Sequence, residues 1–257
     1  MAYGWTSAKW TWGAAFVAIL MGCLTAHAPA HAADTPLTVV ELFTSQGCNS
    51  CPPADAFLGE IKARDGVLAL SLAVDYWDYM GWKDTFANRA NTARQEAYKA
   101  RMGEHQVYTP QIVIDGVAHT VGSKRQEVTS LLDQSAARGG KSAQVSLSAE
   151  DGALHVAIAE TANAPDDATI WLVKFDEAQA VAIKSGENRG KTLTYHNIVR
   201  DMTPIGMWSG EAYSLMLPMR DLEGVADCYA VIVQADGVGE ILGADMLALA
   251  DVHANVQ

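Results

Sequence analysis

Gly47-Cys48-Asn49-Ser50-Cys51-Pro52-Pro53 is the stretch on which the reading of this chain turns, because it sets a C-x-x-C pair where a strand gives way to a helix. Upstream, Thr38-Val39-Val40-Glu41-Leu42-Phe43 is β-branched and apolar and predicts a short buried strand. Downstream, Pro52 and Pro53 suit a first helical turn, where a missing N–H costs nothing, and Ala54, Phe57, Leu58 and Ile61 recur at i, i+3, i+4, i+7 as one apolar face ending before Gly66. Unpaired N–H groups and the positive end of the helix dipole favour a thiolate there, so Cys48 is expected to be the outward-facing nucleophile and Cys51 the inner sulfur. The same pair also fits a permanent structural disulfide or half of a zinc or copper site, and spacing alone leaves the three open.

After the helix, Val67 to Val74 is a near-continuous apolar run, the pattern of a strand covered on both faces. A right-handed parallel β-α-β unit follows, with both strands ending on one sheet edge. That edge holds Cys48 and the loop Asp75-Tyr76-Trp77-Asp78-Tyr79-Met80-Gly81-Trp82, which is therefore expected beside the thiols. Asp75 is the ionisable group at that strand end: it either relays the proton of Cys51 or ties the loop by a hydrogen bond. Tyr76, Trp77 and Trp82 either pack the loop or touch substrate. Residues 83–102 predict an inserted helix with an Ala-rich stripe; its Lys83, Arg89, Arg94, Lys99 and Arg101 read as a solvated basic face. Pro110 stands just ahead of a strand, Asp115-Gly116 turns a hairpin, and Ser123 with Gln126 forms a capping box for a helix through Ser135.

Beyond Lys141 the period changes to alternation. Val145, Leu147 and Ala149, the turn at Asp151-Gly152, then Leu154, Val156 and Ile158 predict an antiparallel hairpin. Further strands are expected at 169–175, 179–184, 192–200, 212–217 and 228–235, with Gly186 to Lys191 as a polar hairpin tip. The expected architecture is an α/β domain over 37–141, with its inserted helix at about 83–102, followed by a β-rich, sandwich-like domain over 142–250.

The N-terminus adds a compartment. Residues 1–32 carry Lys9 as their one charge, an apolar stretch from Ala14 to Leu24 and a small-x-small site at Ala30-His31-Ala32, which together predict a secretory signal peptide, with an uncleaved anchor and lipidation at Cys23 as competitors. Its removal takes away one Lys and no acid, so the net charge moves from -12 to -13, a poor match for nucleic acid, and leaves no stable membrane span. A periplasmic or secreted location follows. Cys48, Cys51 and Cys228 remain, and Cys228 is expected to be buried on an apolar strand.

Strand, C-x-x-C, helix, strand and Thr109-Pro110 before a hairpin resemble a thioredoxin-like fold over residues 37–138. The resemblance implies Cys48 as attacking thiol, Cys51 as resolving thiol, and Pro110 as a cis-proline presenting backbone to an extended substrate, with Thr109 beside it. More specifically, Glu41 to Cys48, Cys51-Pro52-Pro53-Ala54-Asp55, Val74 to Asp78, Tyr108 to Gln111 and Gly186-Glu187-Asn188-Arg189-Gly190 resemble the secreted bacterial family called domain of unknown function 1223, over about 37–245. The dipeptide Asn49-Ser50 is neither the Gly-Pro of thioredoxins nor the Pro-His of strong periplasmic oxidants, so no potential carries over. The expected function is an exported thiol-disulfide oxidoreductase acting on exported proteins or small thiols, with Tyr76, Trp77 and Thr109 toward substrate and no cofactor; a binding module with a permanent disulfide and a copper(I)-handling protein are the alternatives.

Overall fold

β1 (Thr38–Thr44) is buried at every position because its two faces are both covered, and its alternation sorts the side chains: Val39, Glu41 and Phe43 face one way, Val40 and Leu42 the other. In the computed structural model, which describes residues 1, 2, 4, 36–165, 167–222 and 226–250, the chain continues as α1 (Pro52–Ile61), β2 (Val67–Ala73), α2 (Arg89–Met102), β3 (Gln111–Ile114), β4 (Ala118–Val121) and α3 (Arg125–Arg138). It then runs β5 (Val145–Glu150), β6 (Ala153–Ile158), β7 (Ala168–Ala182), β8 (Thr192–Trp208), β9 (Tyr213–Pro218), β10 (Cys228–Ala235) and β11 (Ile241–Ala248). The signal-peptide expectation, with Cys23 and Ala32, lies outside the described residues. No helix among them is long and apolar enough to cross a membrane.

The expected pairing of an α/β thioredoxin-like domain with a separate all-β domain is overturned. β1 and β2 are parallel and β3-β4 is an antiparallel hairpin, as read, but the strands after Lys141 complete the same sheet. Its order is β11-β10-β7-β8-β2-β1-β3-β4, eight strands of mixed direction, with β5-β6-β9 as a second small sheet. The described chain is thus mostly β with three α-helices. The reason is edge chemistry: β2 would otherwise present a free row of N–H and C=O groups, and β8 lies parallel to it, with Asn197 donating its side-chain amide to the carbonyl of Ala69 at 2.8 Å. The strands expected at 169–175 and 179–184 are one continuous β7, whose two register shifts against β8 let a long ribbon twist. β11 was not expected.

Alternation explains the three largest of the four apolar clusters among the described residues. On β10, Ala230 and Ile232 join Phe43, Leu70 and Tyr98 on the α2 side, while Tyr229, Val231 and Val233 meet Leu154, Val156 and Leu172 under the small sheet. α1 lays Ala54, Phe57, Leu58 and Ile61 on Val40, Leu42 and Ile112; each large side chain buried there stabilises by roughly 1.5–3 kcal/mol. Cys228 is buried on β10 opposite Phe175.

Two helix readings need correction. α2 begins at Arg89, not 83, capped by the side chain of Asn88, and it buries a polar face: Asn91, Arg94, Gln95 and Tyr98. Arg94, expected in solvent, donates to both oxygens of Glu41 at 2.6 and 3.1 Å, because β1 alternation aims Glu41 at this helix and a buried carboxylate needs a partner. α3 has Lys124 at its N-cap with no side-chain capping bond, so the Ser123 box does not form.

Candidate functional site

Cys48 and Cys51 form a disulfide, with Cα atoms 5.4 Å apart, at the point where β1 hands over to α1. The loop is wound tightly: Cys48 N–H donates to Ser45 C=O at 3.1 Å, Cys51 N–H to Cys48 C=O at 3.3 Å, and Ala54 and Asp55 N–H groups close on Cys51 C=O at 2.8 and 3.1 Å. At Gly47 the backbone runs close to Trp77: a Cβ there would come within 3.1 Å of Trp77 Cβ. Asn49 and Ser50 are exposed.

The sulfurs are not. Cys48 and Cys51 are both 0% exposed, which corrects the expectation of an outward Cys48. The loop between β7 and β8, at 183–191, closes on the backbone of this turn. Asn188, itself fully buried, donates its amide to the carbonyls of Gln46 and Cys48, each at 2.9 Å, and Lys191 Nζ holds its Oδ1 at 2.8 Å. Ser185 Oγ donates to Gly81 C=O at 2.6 Å, and Gly186 lies where a Cβ would meet Trp82 Cβ at 3.1 Å. The polar hairpin tip is therefore a roof over the backbone of the disulfide loop.

Gln46 is the hub beneath it. Its N–H donates to Asp84 Oδ2 at 2.7 Å, its Nε2 to Thr85 Oγ1 at 2.9 Å, and its Oε1 accepts from Trp82 Nε1 at 2.8 Å. Burial raises the Asp84 carboxyl above its ordinary range despite the N–H groups of Gln46 and Phe86.

The other expected residues gather here with different duties. The Thr109-Pro110 bond is cis and Pro110 is buried. Trp77 packs on Gly47 and donates Nε1–H to Thr109 Oγ1 at 2.8 Å, which links the disulfide loop to the proline loop. Tyr76 donates to Gln95 Oε1 at 3.1 Å, and burial pushes its phenol up to about 12. Asp75 accepts from Thr92 Oγ1 at 2.7 Å, fastening its loop to α2. Among the described residues no group of three or more His, Cys, Asp or Glu is arranged to hold a metal ion.

One acid was missed by the sequence reading. Asp55 lies one helical turn after Cys51, is buried, and accepts from Thr44 Oγ1 at 2.6 Å through Oδ1, while Oδ2 has no partner among the described residues. Burial, against the pull of the Thr44 hydroxyl and with a push from Asp84, raises its pKa to about 8. Its signal was present, an acid at i+4 from Cys51 on a face that also carries Leu58, but helical periodicity treats such a position as the polar side.

A helix-start disulfide at the C-terminal end of an inner strand of one mixed sheet, its loop tied to a distant hairpin tip, defines a mostly β, disulfide-bearing protein with a buried acid one helical turn after the second cysteine. Residues 39–234 match the family described as protein of unknown function (DUF1223), and the chain belongs to that family. An X-ray crystal structure of a protein from Agrobacterium tumefaciens is similar, at 32% identity and a TM-score of 0.74, covering 84% of this chain and 95% of that one. No curated protein matches.

Proposed function

We propose that the protein is an exported thiol-disulfide exchange protein whose Cys48–Cys51 pair cycles between disulfide and dithiol. The observation that carries the reading is the C-x-x-C disulfide at the first turn of α1 with a proton-holding acid, Asp55, one turn further along. In the dithiol form, Cys48 thiolate attacks a substrate disulfide and one substrate sulfur leaves as a thiolate. Cys51 gives its proton to Asp55 in the molecules where that acid is ionised, a fraction that grows as pH rises toward about 8, and attacks Cys48 Sγ; the mixed disulfide breaks, and the second substrate sulfur departs. Two electrons pass to the substrate, and the protein regains its disulfide; the reverse sequence oxidises a dithiol. Asp55 is taken for that role over Asp75 because it is buried one helical turn from Cys51 and its Oδ2 has no partner among the described residues. Disulfide-bearing exported proteins or small thiols are the partners, and access requires the 183–191 loop to lift.

The full burial of both sulfurs favours a second reading, a permanent disulfide that pins β1 to α1. Equilibration of the intact protein in thiol-disulfide buffers separates the two. A potential above about -250 mV supports exchange, and one below about -300 mV supports the structural bridge.

A further inference from the structure

An open β-sheet edge is a row of N–H and C=O groups ready to pair with another chain, and folded proteins guard such edges by shortness, charge or cover. The two sheets here end on β11, β4, β5 and β9. β4 is guarded by its length, four residues. β11 and β5 guard each other: Ala143 N–H, just ahead of β5, donates to Leu242 C=O at 2.9 Å, and Leu147 N–H donates to Asp245 Oδ2 at 2.8 Å. β9 has none of these devices. Its residues, Tyr213-Ser214-Leu215-Met216-Leu217-Pro218, carry no charge, pair with β6 on one side, and have no strand beyond them among the described residues.

The outer face beside this edge is uncharged as well. Alternation sends Tyr213, Leu215 and Leu217 toward the apolar cluster beneath the small sheet and leaves Ser214 and Met216 outside, Met216 at 62% exposure. Cross-strand register places Ser146, Ala157 and Ser214 in one outer row and Ser148, His155 and Met216 in the next. Neither row holds Lys, Arg, Asp or Glu. The whole chain has a net charge of -12, so two copies repel wherever acids face acids, and this edge is a place where they do not.

We propose that β9 pairs with β9 of a second copy of this chain, antiparallel about a two-fold axis, so that the two small sheets become one sheet of six strands, three from each copy. An antiparallel edge is self-complementary under such an axis, so the second copy brings the matching open strand with it. The register follows from alternation. Directly opposed residues share a face, so the axis must pass through a residue rather than between two. Centred on Leu215, it sets Ser214 against Met216 of the second copy and Tyr213 against Leu217, and Pro218, which has no N–H to give, falls just beyond the pairing. Centred on Met216, it would draw the proline into the ladder. A pairing this short falls below the roughly 1,200–2,000 Å² of a standard interface, so the dimer is a weak one. It does not depend on the disulfide being reactive.

Sedimentation velocity of the intact protein reads it. A concentration-dependent equilibrium between monomer and dimer is expected, with dimer prominent by about 200 µM, the range of a weak contact. Ser214→Lys combined with Met216→Lys sets like charges directly opposite each other in this register and should weaken dimerisation at least about tenfold. Ser214→Lys combined with Met216→Glu sets opposite charges there and should bring it back to within about threefold of wild type. Both side chains lie outside the core, so the circular dichroism of both variants should match wild type. A wild-type protein that stays monomeric at about 200 µM, a double-Lys variant that dimerises as wild type does, or a Lys/Glu variant no better than the double-Lys one would overturn the proposal.

Discussion

The side-chain amide of Asn188 donates to the carbonyl oxygen of Cys48 at 2.9 Å, although 140 positions separate them in sequence. The same amide reaches Gln46, so one residue of a hairpin tip closes the disulfide loop from above.

Asn188→Ala should therefore loosen the roof. It leaves two carbonyls without their buried donor, a loss of about 1–3 kcal/mol in folded stability. If the same contact restrains the loop, reduction of Cys48–Cys51 by dithiothreitol should speed up by at least about fivefold, as expected when local opening becomes about 1 kcal/mol easier. Timed alkylation and mass spectrometry read it directly. A destabilised variant with an unchanged reduction rate would show that the roof is not the barrier.

Cys51→Ala should retain a thiol able to attack but not to resolve, so mixed disulfides with exported proteins should accumulate on non-reducing gels. Cys48→Ala should trap far less. Equal trapping by the two variants would remove the distinction between attacking and resolving sulfurs.

The charge of Asp55 predicts a pH signature in stability. Its pKa in the fold is about 8, well above the unfolded value of about 3.9. The contribution of the neutral acid is thus fully present below about pH 4 and lost as pH rises toward 8. Asp55→Asn keeps the Thr44 hydrogen bond and never ionises. Relative to wild type it should gain on the order of 2–4 kcal/mol between pH 4 and pH 8, measured by urea unfolding at several pH values. A difference independent of pH would show that Asp55 is not raised.

Arg94 and Glu41 form a buried ion pair with N···O at 2.6 Å. Removing one partner, as in Arg94→Met, should cost roughly 3–5 kcal/mol because the buried carboxylate loses its cation and keeps only the Tyr98 hydroxyl, whereas Glu41→Leu with Arg94→Met should recover at least half of that. Chemical denaturation of the single and double variants tests it; an additive double variant would mean that the two side chains do not act as a pair.

Local order was legible in the chain. The strand from Thr38, the helix after Pro52, the apolar strand from Val67, the hairpin at Asp115-Gly116 and the tip at 186–191 follow from periodicity and turn chemistry, which depend on neighbours a few residues apart. The spacing of Cys48 and Cys51 at a helix start allowed a bridge but equally allowed a metal site, and the structure shows the bridge. What periodicity cannot carry is the destination of an edge or of a polar side chain. Whether β2 ends a domain or receives β8, whether Arg94 meets water or Glu41, whether Cys48 is open or lies beneath Asn188, and whether Asp55 is solvated or buried were each decided by segments tens to more than a hundred residues away. Their energies come from satisfying buried hydrogen-bonding groups, and that requirement is imposed only once the tertiary structure has excluded water.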